Sequence, residues 1–220
     1  MNKPTLIYCY DAYCNWCYAF SPVIKKIAEQ YKDDFYIEVW SGGMMIGKDT
    51  MPIEKIGPLL LNHYKKIEAL TGIKFGTDYL WHLNNPDKSD WVMNSEKPAI
   101  ALAIFKTYFP DDALLFATDL QYALHEEGRD LEDDEAYRHL LEKYSIPEAE
   151  FYTKLKSAAF KEKAQDEFDW CKHLQVDEFP QLLVQQNETR YRLLAKGFTS
   201  YDILNERIME VLKEIAATPE

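Results

Sequence analysis

Strand-forming sequence is confined to the two ends of this chain, and everything from about Met51 to His173 reads as helix. At the front, Pro4 to Tyr10 is rich in β-branched and aromatic residues, and Phe35 to Trp40 (FYIEVW) alternates as a second strand. Between them, over about Tyr18 to Tyr31, Val23, Ile24, Ile27, Ala28 and Tyr31 recur at helical spacing, with Lys25, Lys26 and Glu29 outside. At the back, Pro180 to Gln186 and Thr189 to Ala195 read as a hairpin turned through Gln186-Asn187-Glu188. Gly197 then precedes a helix over about Ser200 to Ala216, with Ile203, Ile208, Val211, Leu212 and Ile215 inward. A small sheet takes strands from both ends only if the intervening helices are an excursion from one edge. The expected class is α/β in the order βαβ, helices, ββα, the first crossover being right-handed.

The helical middle carries its own punctuation. Pro98 suits a first turn, Pro110 stops that helix, Asp111 and Asp112 cap the next, Gly128 closes it, and Ser145, Pro147 and Glu148 mark another start. A formal net charge of -12 argues against a nucleic-acid or anionic-lipid partner, which needs a basic surface. The longest apolar run, Ala99 to Phe105, falls far short of the roughly 20 residues of a membrane span. The start, MNKPTLIYCYDAY, lacks the apolar core and cleavage site of a signal peptide, so the expected location is the cytoplasm.

In that location thiols stay reduced, and the four cysteines do not suggest a disulfide framework. Cys14 and Cys17 stand apart, because they lie where the first strand gives way to the first helix. Unpaired N–H groups and the positive end of the dipole stabilise a thiolate there. Positions i and i+3 share a face, so Cys14 should be the more exposed thiol, with Cys17 behind it at a separation suited to a disulfide. Two other readings stand beside this one: small core residues, or half of a metal site completed by Cys171 and His173. Neither those residues nor the scattered His63, His82, His125 and His139 have metal-binding spacing, so no metal and no cofactor is assigned. Cys9 and Cys171 read as core thiols, and Tyr79, Trp81, Trp91 and Met93 as packing or as a substrate wall.

The stretch DAYCNWCYAFSP resembles the DsbA-like branch of the thioredoxin superfamily, and within it the cytoplasmic FrnE-like proteins. SGGMM after the second strand, the run from Leu120 to Leu155 and VDEFPQLLV near the end are similar to family segments too. The resemblance implies a thioredoxin-like fold with a large inserted all-helical domain. Residues 1–45 and 174–220 would form the discontinuous thioredoxin-like domain and 46–173 the insertion. It also implies a thiol–disulfide oxidoreductase, a reductase or isomerase of protein disulfides with Cys14 and Cys17 as its catalytic pair. Phe179-Pro180 matches the family's cis-proline, so Phe179, Pro180 and an exposed Trp16 are the expected substrate contacts.

Asp11, Asn15 and Glu178 are expected to modulate thiol acidity. The Asn15-Trp16 dipeptide lacks the histidine of strongly oxidising relatives, and Asp11, Asp177 and Glu178 disfavour a further negative charge, which points to a more reducing couple. The partner implied is a protein or small-molecule thiol or disulfide, glutathione included. Two alternatives remain at this point. One is a glutathione-dependent isomerase or kappa-type transferase, in which serine typically stands where Cys14 does. The other is a redox-sensing adaptor or chaperone-like binding module.

Overall fold

A computed structural model describes residues 3–217; the outermost residues of the expected domain division, 1–2 and 218–220, lie outside them. The chain runs β1 (Thr5–Tyr10), α1 (Asn15–Gln30), β2 (Tyr36–Ser41), β3 (Met51–Pro52), α2 (Ile53–Thr71), α3 (Thr77–Asn84), β4 (Val92–Met93) and α4 (Glu96–Phe105). It continues through α5 (Ala113–His125), α6 (Glu135–Lys143), α7 (Glu148–Leu155), α8 (Ala158–His173), β5 (Gln181–Gln185), β6 (Tyr191–Lys196) and α9 (Tyr201–Ala217). The main sheet has the order β2-β1-β5-β6. β1 pairs parallel with β2 and antiparallel with β5, so the two ends of the chain meet at its centre. β3 and β4 form a two-stranded ladder that interrupts the expected helical stretch.

β1 is buried on both faces, which is why its sequence is an almost unbroken apolar run. Leu6, Tyr8 and Tyr10 face the main core, which continues without a break into α4, α5 and α7. Ile7 and Cys9 point the other way, into a smaller cluster with Cys171, Val176 and Leu183. α8 closes that second face. Its Glu167 accepts from the Ser41 N–H (2.8 Å) at the end of β2 and from the Lys106 ammonium (2.5 Å), while Lys106 also donates to the Val39 carbonyl.

Three expectations change. α1 starts at Asn15, ahead of the expected Tyr18, because the Cys14 sulfur serves as N-cap acceptor for the Cys17 N–H. The helix also passes through Pro22, which has no N–H for the Tyr18 carbonyl; the Ser21 hydroxyl donates to that carbonyl at 2.6 Å. On α9, Ile203 is exposed and Leu204 takes its place, since the buried stripe is Leu204, Ile208 and Val211. The hairpin turn is wider than expected and closes with Gln186 N–H donating to the Arg190 carbonyl, while Asn187 Oδ1 accepts from the Thr189 and Arg190 N–H groups.

Candidate active site

Cys14 is the N-cap of α1, in extended backbone, and Cys17 is the third helical residue. The Cys17 N–H donates to Cys14 Sγ at 3.2 Å, and the Cys14 N–H is held by the Asp11 carbonyl at 3.2 Å. From the other end of the chain the carbonyl of Phe179 meets this sulfur, 3.5 Å from Cys14 Sγ and 165 residues away in sequence. The Phe179–Pro180 peptide is cis. Phe179 is placed by Gly42: a Cβ there would stand 1.9 Å from the Phe179 ring, so the turn after β2 accepts only glycine while that ring stays where it is. Cys14 is 5% exposed and Cys17 fully buried, so the order of accessibility follows the i, i+3 reading while the margin is narrow. Burial pushes the Cys17 thiol up, and the adjacent Cys14 sulfur adds to that rise.

Asp11 is buried at the end of β1. Its carboxylate accepts from the Tyr13 N–H (3.0 Å), the Ser95 hydroxyl (3.0 Å) and the Met44 N–H (2.8 Å). Burial raises its pKa, and these bonds oppose the rise. Its charge bears on Cys17, the inner sulfur. Asp177 and Glu178 are exposed, and both carboxylates turn to the one Lys196 ammonium, at 2.8 and 3.9 Å, which offsets part of the charge they bring. Trp16 is half-buried rather than exposed and leans on the Phe198 ring at 6.3 Å.

Asn15 is buried, and its amide faces the helical stretch. Its Oδ1 position lies 3.0 Å from the Tyr79 hydroxyl and 3.1 Å from His125 Nε2. His125 stacks on Tyr18 (4.9 Å between centroids, 9° between planes), and its Nδ1 meets the Gln121 carbonyl at 2.9 Å. Burial lowers the His125 pKa to about 4. Gln121 also reaches the strand end, its amide nitrogen donating to the Asp11 carbonyl at 3.3 Å. In the sequence His125 has no metal-binding spacing, and Tyr79 reads as packing or as a substrate wall. They lie 110 and 64 residues from Asn15, and no local spacing marks either of them. The aromatic group around Tyr79 divides: Tyr79, Trp91 and Met93 are buried, with Trp91 stacked on His82 at 3.8 Å, while Trp81 is exposed.

Cys171 is nowhere near this site. It lies under the other face of the sheet with Cys9, its thiol directed at the Ser41 carbonyl at 3.7 Å, and His173 packs edge-on against Trp170. Among the described residues no group of three or more His, Cys, Asp or Glu side chains is arranged to hold a metal ion, and no helix is long and apolar enough to cross a membrane.

The fold that brings these groups together is shared with solved structures. A protein from Nitrosomonas europaea superposes with a TM-score of 0.84 at 22% identity, over 97% of this chain and 99% of that one. The cytosolic disulfide reductase DsbM from Pseudomonas aeruginosa gives 0.75 at 22% identity, over 97% and 100%. Its structure with GSH gives 0.72 at 23%, over 96% and 98%. No curated protein matches the chain. At these identities the structures establish the fold, thioredoxin-like with a helical insertion; the family rests on a sequence model that spans nearly the whole chain. Matching that model over residues 5–209, this chain belongs to the DSBA-like thioredoxin domain family, whose members are protein thiol–disulfide oxidoreductases.

Proposed function

We propose that Cys14 and Cys17 are the working dithiol of a cytoplasmic disulfide reductase or isomerase, with Cys14 as the attacking sulfur. The observation that carries this is the 3.2 Å bond from the Cys17 N–H to Cys14 Sγ at the α1 N-cap, since a backbone donor and the helix dipole favour thiolate on the capping sulfur. The Cys14 thiolate attacks one sulfur of a substrate disulfide, and the other substrate sulfur leaves as a thiolate and takes up a proton. Cys17, kept protonated by burial, then loses its proton and attacks Cys14 Sγ, releasing the second substrate thiol. The substrate disulfide gains two electrons and the protein is left with a Cys14–Cys17 disulfide. Two equivalents of a thiol such as glutathione return it to the dithiol.

Phe179, Pro180 and the half-buried face of Trp16 form the substrate contact. The Phe179 carbonyl beside Cys14 Sγ supports this, because an extended segment carrying the target disulfide pairs with backbone at that point. The likeness to the cytosolic reductase DsbM, also solved with GSH, supports the cytoplasmic reducing role and glutathione as the small-molecule partner. The helices over residues 46–173 are an insertion between the halves 1–45 and 174–220. The main core that runs unbroken from β1 into α7 supports reading that insertion as a wall packed against the site.

The test is equilibration of the full chain with defined ratios of reduced and oxidised glutathione, read by alkylation and mass spectrometry. A reversible Cys14–Cys17 disulfide with a potential near that of thioredoxin, about -270 mV, is expected. A couple near about -120 mV overturns the reducing direction, and absence of the disulfide overturns the dithiol reading.

A further inference from the structure

We propose that Tyr79 and His125 are positioning residues for the dithiol: reaching in from the helical insertion, they grip the Asn15 amide and hold the first turn of α1 so that the Cys17 N–H points at Cys14 Sγ. This rests on the dithiol reading above and assigns the insertion a part in it. Asn15 directly follows the capping cysteine, so its side chain is the lever nearest to the backbone that presents that N–H.

The backbones carrying the two gripping residues are themselves locked. The Gly76 N–H donates to the His125 carbonyl at 2.9 Å, and a Cβ on Gly76 would stand 1.7 Å from the Glu126 carbonyl oxygen. The start of α3 therefore meets the end of α5 at a distance only glycine permits, which brings the Tyr79 and His125 rings to 5.0 Å.

Proton counting shows what the grip recognises. The Gln121 carbonyl only accepts, so Nδ1 of His125 carries the ring proton. Burial keeps the ring neutral, which leaves Nε2 a bare lone pair that requires a donor. The Asn15 amide nitrogen is buried and otherwise without a partner. The two ends of an amide have the same shape, and turning this one end for end sets its nitrogen between His125 Nε2 and the Tyr79 oxygen, where both N–H groups find acceptors, while the Tyr79 O–H gives up the Oδ1 to which it donates in the other orientation. An orphaned carbonyl oxygen on the far side is easier to tolerate than an orphaned N–H. The grip is thus selective for an amide. Aspartate at residue 15, equal in shape, would still accept from the Tyr79 O–H but would set an oxygen lone pair against that of His125 Nε2.

The experiment compares the wild-type chain with Tyr79→Phe, His125→Phe, Asn15→Asp, Asn15→Ala and the double variant Tyr79→Phe/Asn15→Ala. Two quantities are read: the glutathione equilibrium of Cys14/Cys17, and the rate at which iodoacetamide alkylates Cys14 at pH 7. Loosening the first turn withdraws the N–H that favours the reduced, thiolate form. Each single variant is therefore expected to move the equilibrium about 3- to 10-fold toward the disulfide, and to slow alkylation by a similar factor, as one hydrogen bond of ordinary net strength dictates. The double variant is expected to match the larger single change, because both substitutions release the same amide. Single variants within twofold of wild type on both readouts, or shifts the opposite way, overturn the proposal. Should a variant lose cooperative unfolding, Tyr79→Phe decides, since it removes one oxygen and leaves the ring. A wild-type chain that forms no disulfide refutes the function proposed above, while its alkylation rate still tests the grip.

Discussion

Four thiols lie in this molecule as two pairs, one on either side of β1. All are shielded to a similar degree: Cys14 is 5% exposed, Cys171 1%, and Cys9 and Cys17 fully buried. Burial is therefore not what distinguishes them. Cys14 caps a helix and takes a backbone N–H, whereas Cys9 stands mid-strand among Ile7, Val176 and Leu183. Cys9 has Cys171 as its thiol neighbour, and that contact together with burial pushes its pKa up. Reactivity in a cysteine follows the polar groups that meet its sulfur, and of the two pairs it is the Cys14 sulfur that accepts a backbone N–H at a helix N-terminus.

The sharpest way to break this contrast is to remove one thiol from each pair. Cys14→Ser is expected to lower disulfide reduction by at least about 10³-fold, while Cys9→Ser leaves the rate per folded molecule unchanged. A steady-state assay with a protein disulfide substrate checks both, and equal losses would erase the distinction. The next effect is steric. Gly42→Ala drives a methyl into the Phe179 ring, and should cost up to about 3 kcal/mol in urea unfolding, together with a weaker grasp of substrate beside Cys14.

A third effect separates the faces by acid. The His125 pKa is lowered in the fold to about 4, so between that value and the usual 6.5 the unfolded chain binds the extra proton. Stability from this group is complete above pH 6.5 and is lost as the pH falls toward 4. Between pH 7 and pH 5 the loss should be about 2 kcal/mol, absent in His125→Phe, and urea titrations at the two pH values measure it. The smallest effect is expected from Cys171→Ala, about 1 kcal/mol of stability from lost packing under β1, with the glutathione equilibrium unchanged.

The order of elements and the sulfur pair were legible in the sequence because each is a local signal: an apolar run, a helical period, two cysteines beside a helix start. The α1 boundary was missed because a cysteine took the capping place that sequence rules give to Ser, Thr, Asp and Asn. Glu178 shows a different gap: its nearness to Pro180 is visible in the chain, while the Lys196 that shares its charge with Asp177 and Glu178 arrives from β6. His125 and Tyr79 show the general limit: a side chain aimed at a site from two helices away leaves no mark on the residues around it.

The pairing of β1 with β5 has a consequence for how the protein is made. Synthesis runs from the amino end, so β1, both site cysteines and every helix through α8 leave the ribosome before the strand that completes the sheet. Until β5 arrives, one edge of β1 stays open and the capping thiol lacks its carbonyl neighbour. Closure of so long a loop makes the last step of assembly a slow, non-local one. A nascent chain stalled before residue 179 thus carries the capping thiol on an unfinished sheet, and the segment from Phe179 onward brings its carbonyl and the missing strands.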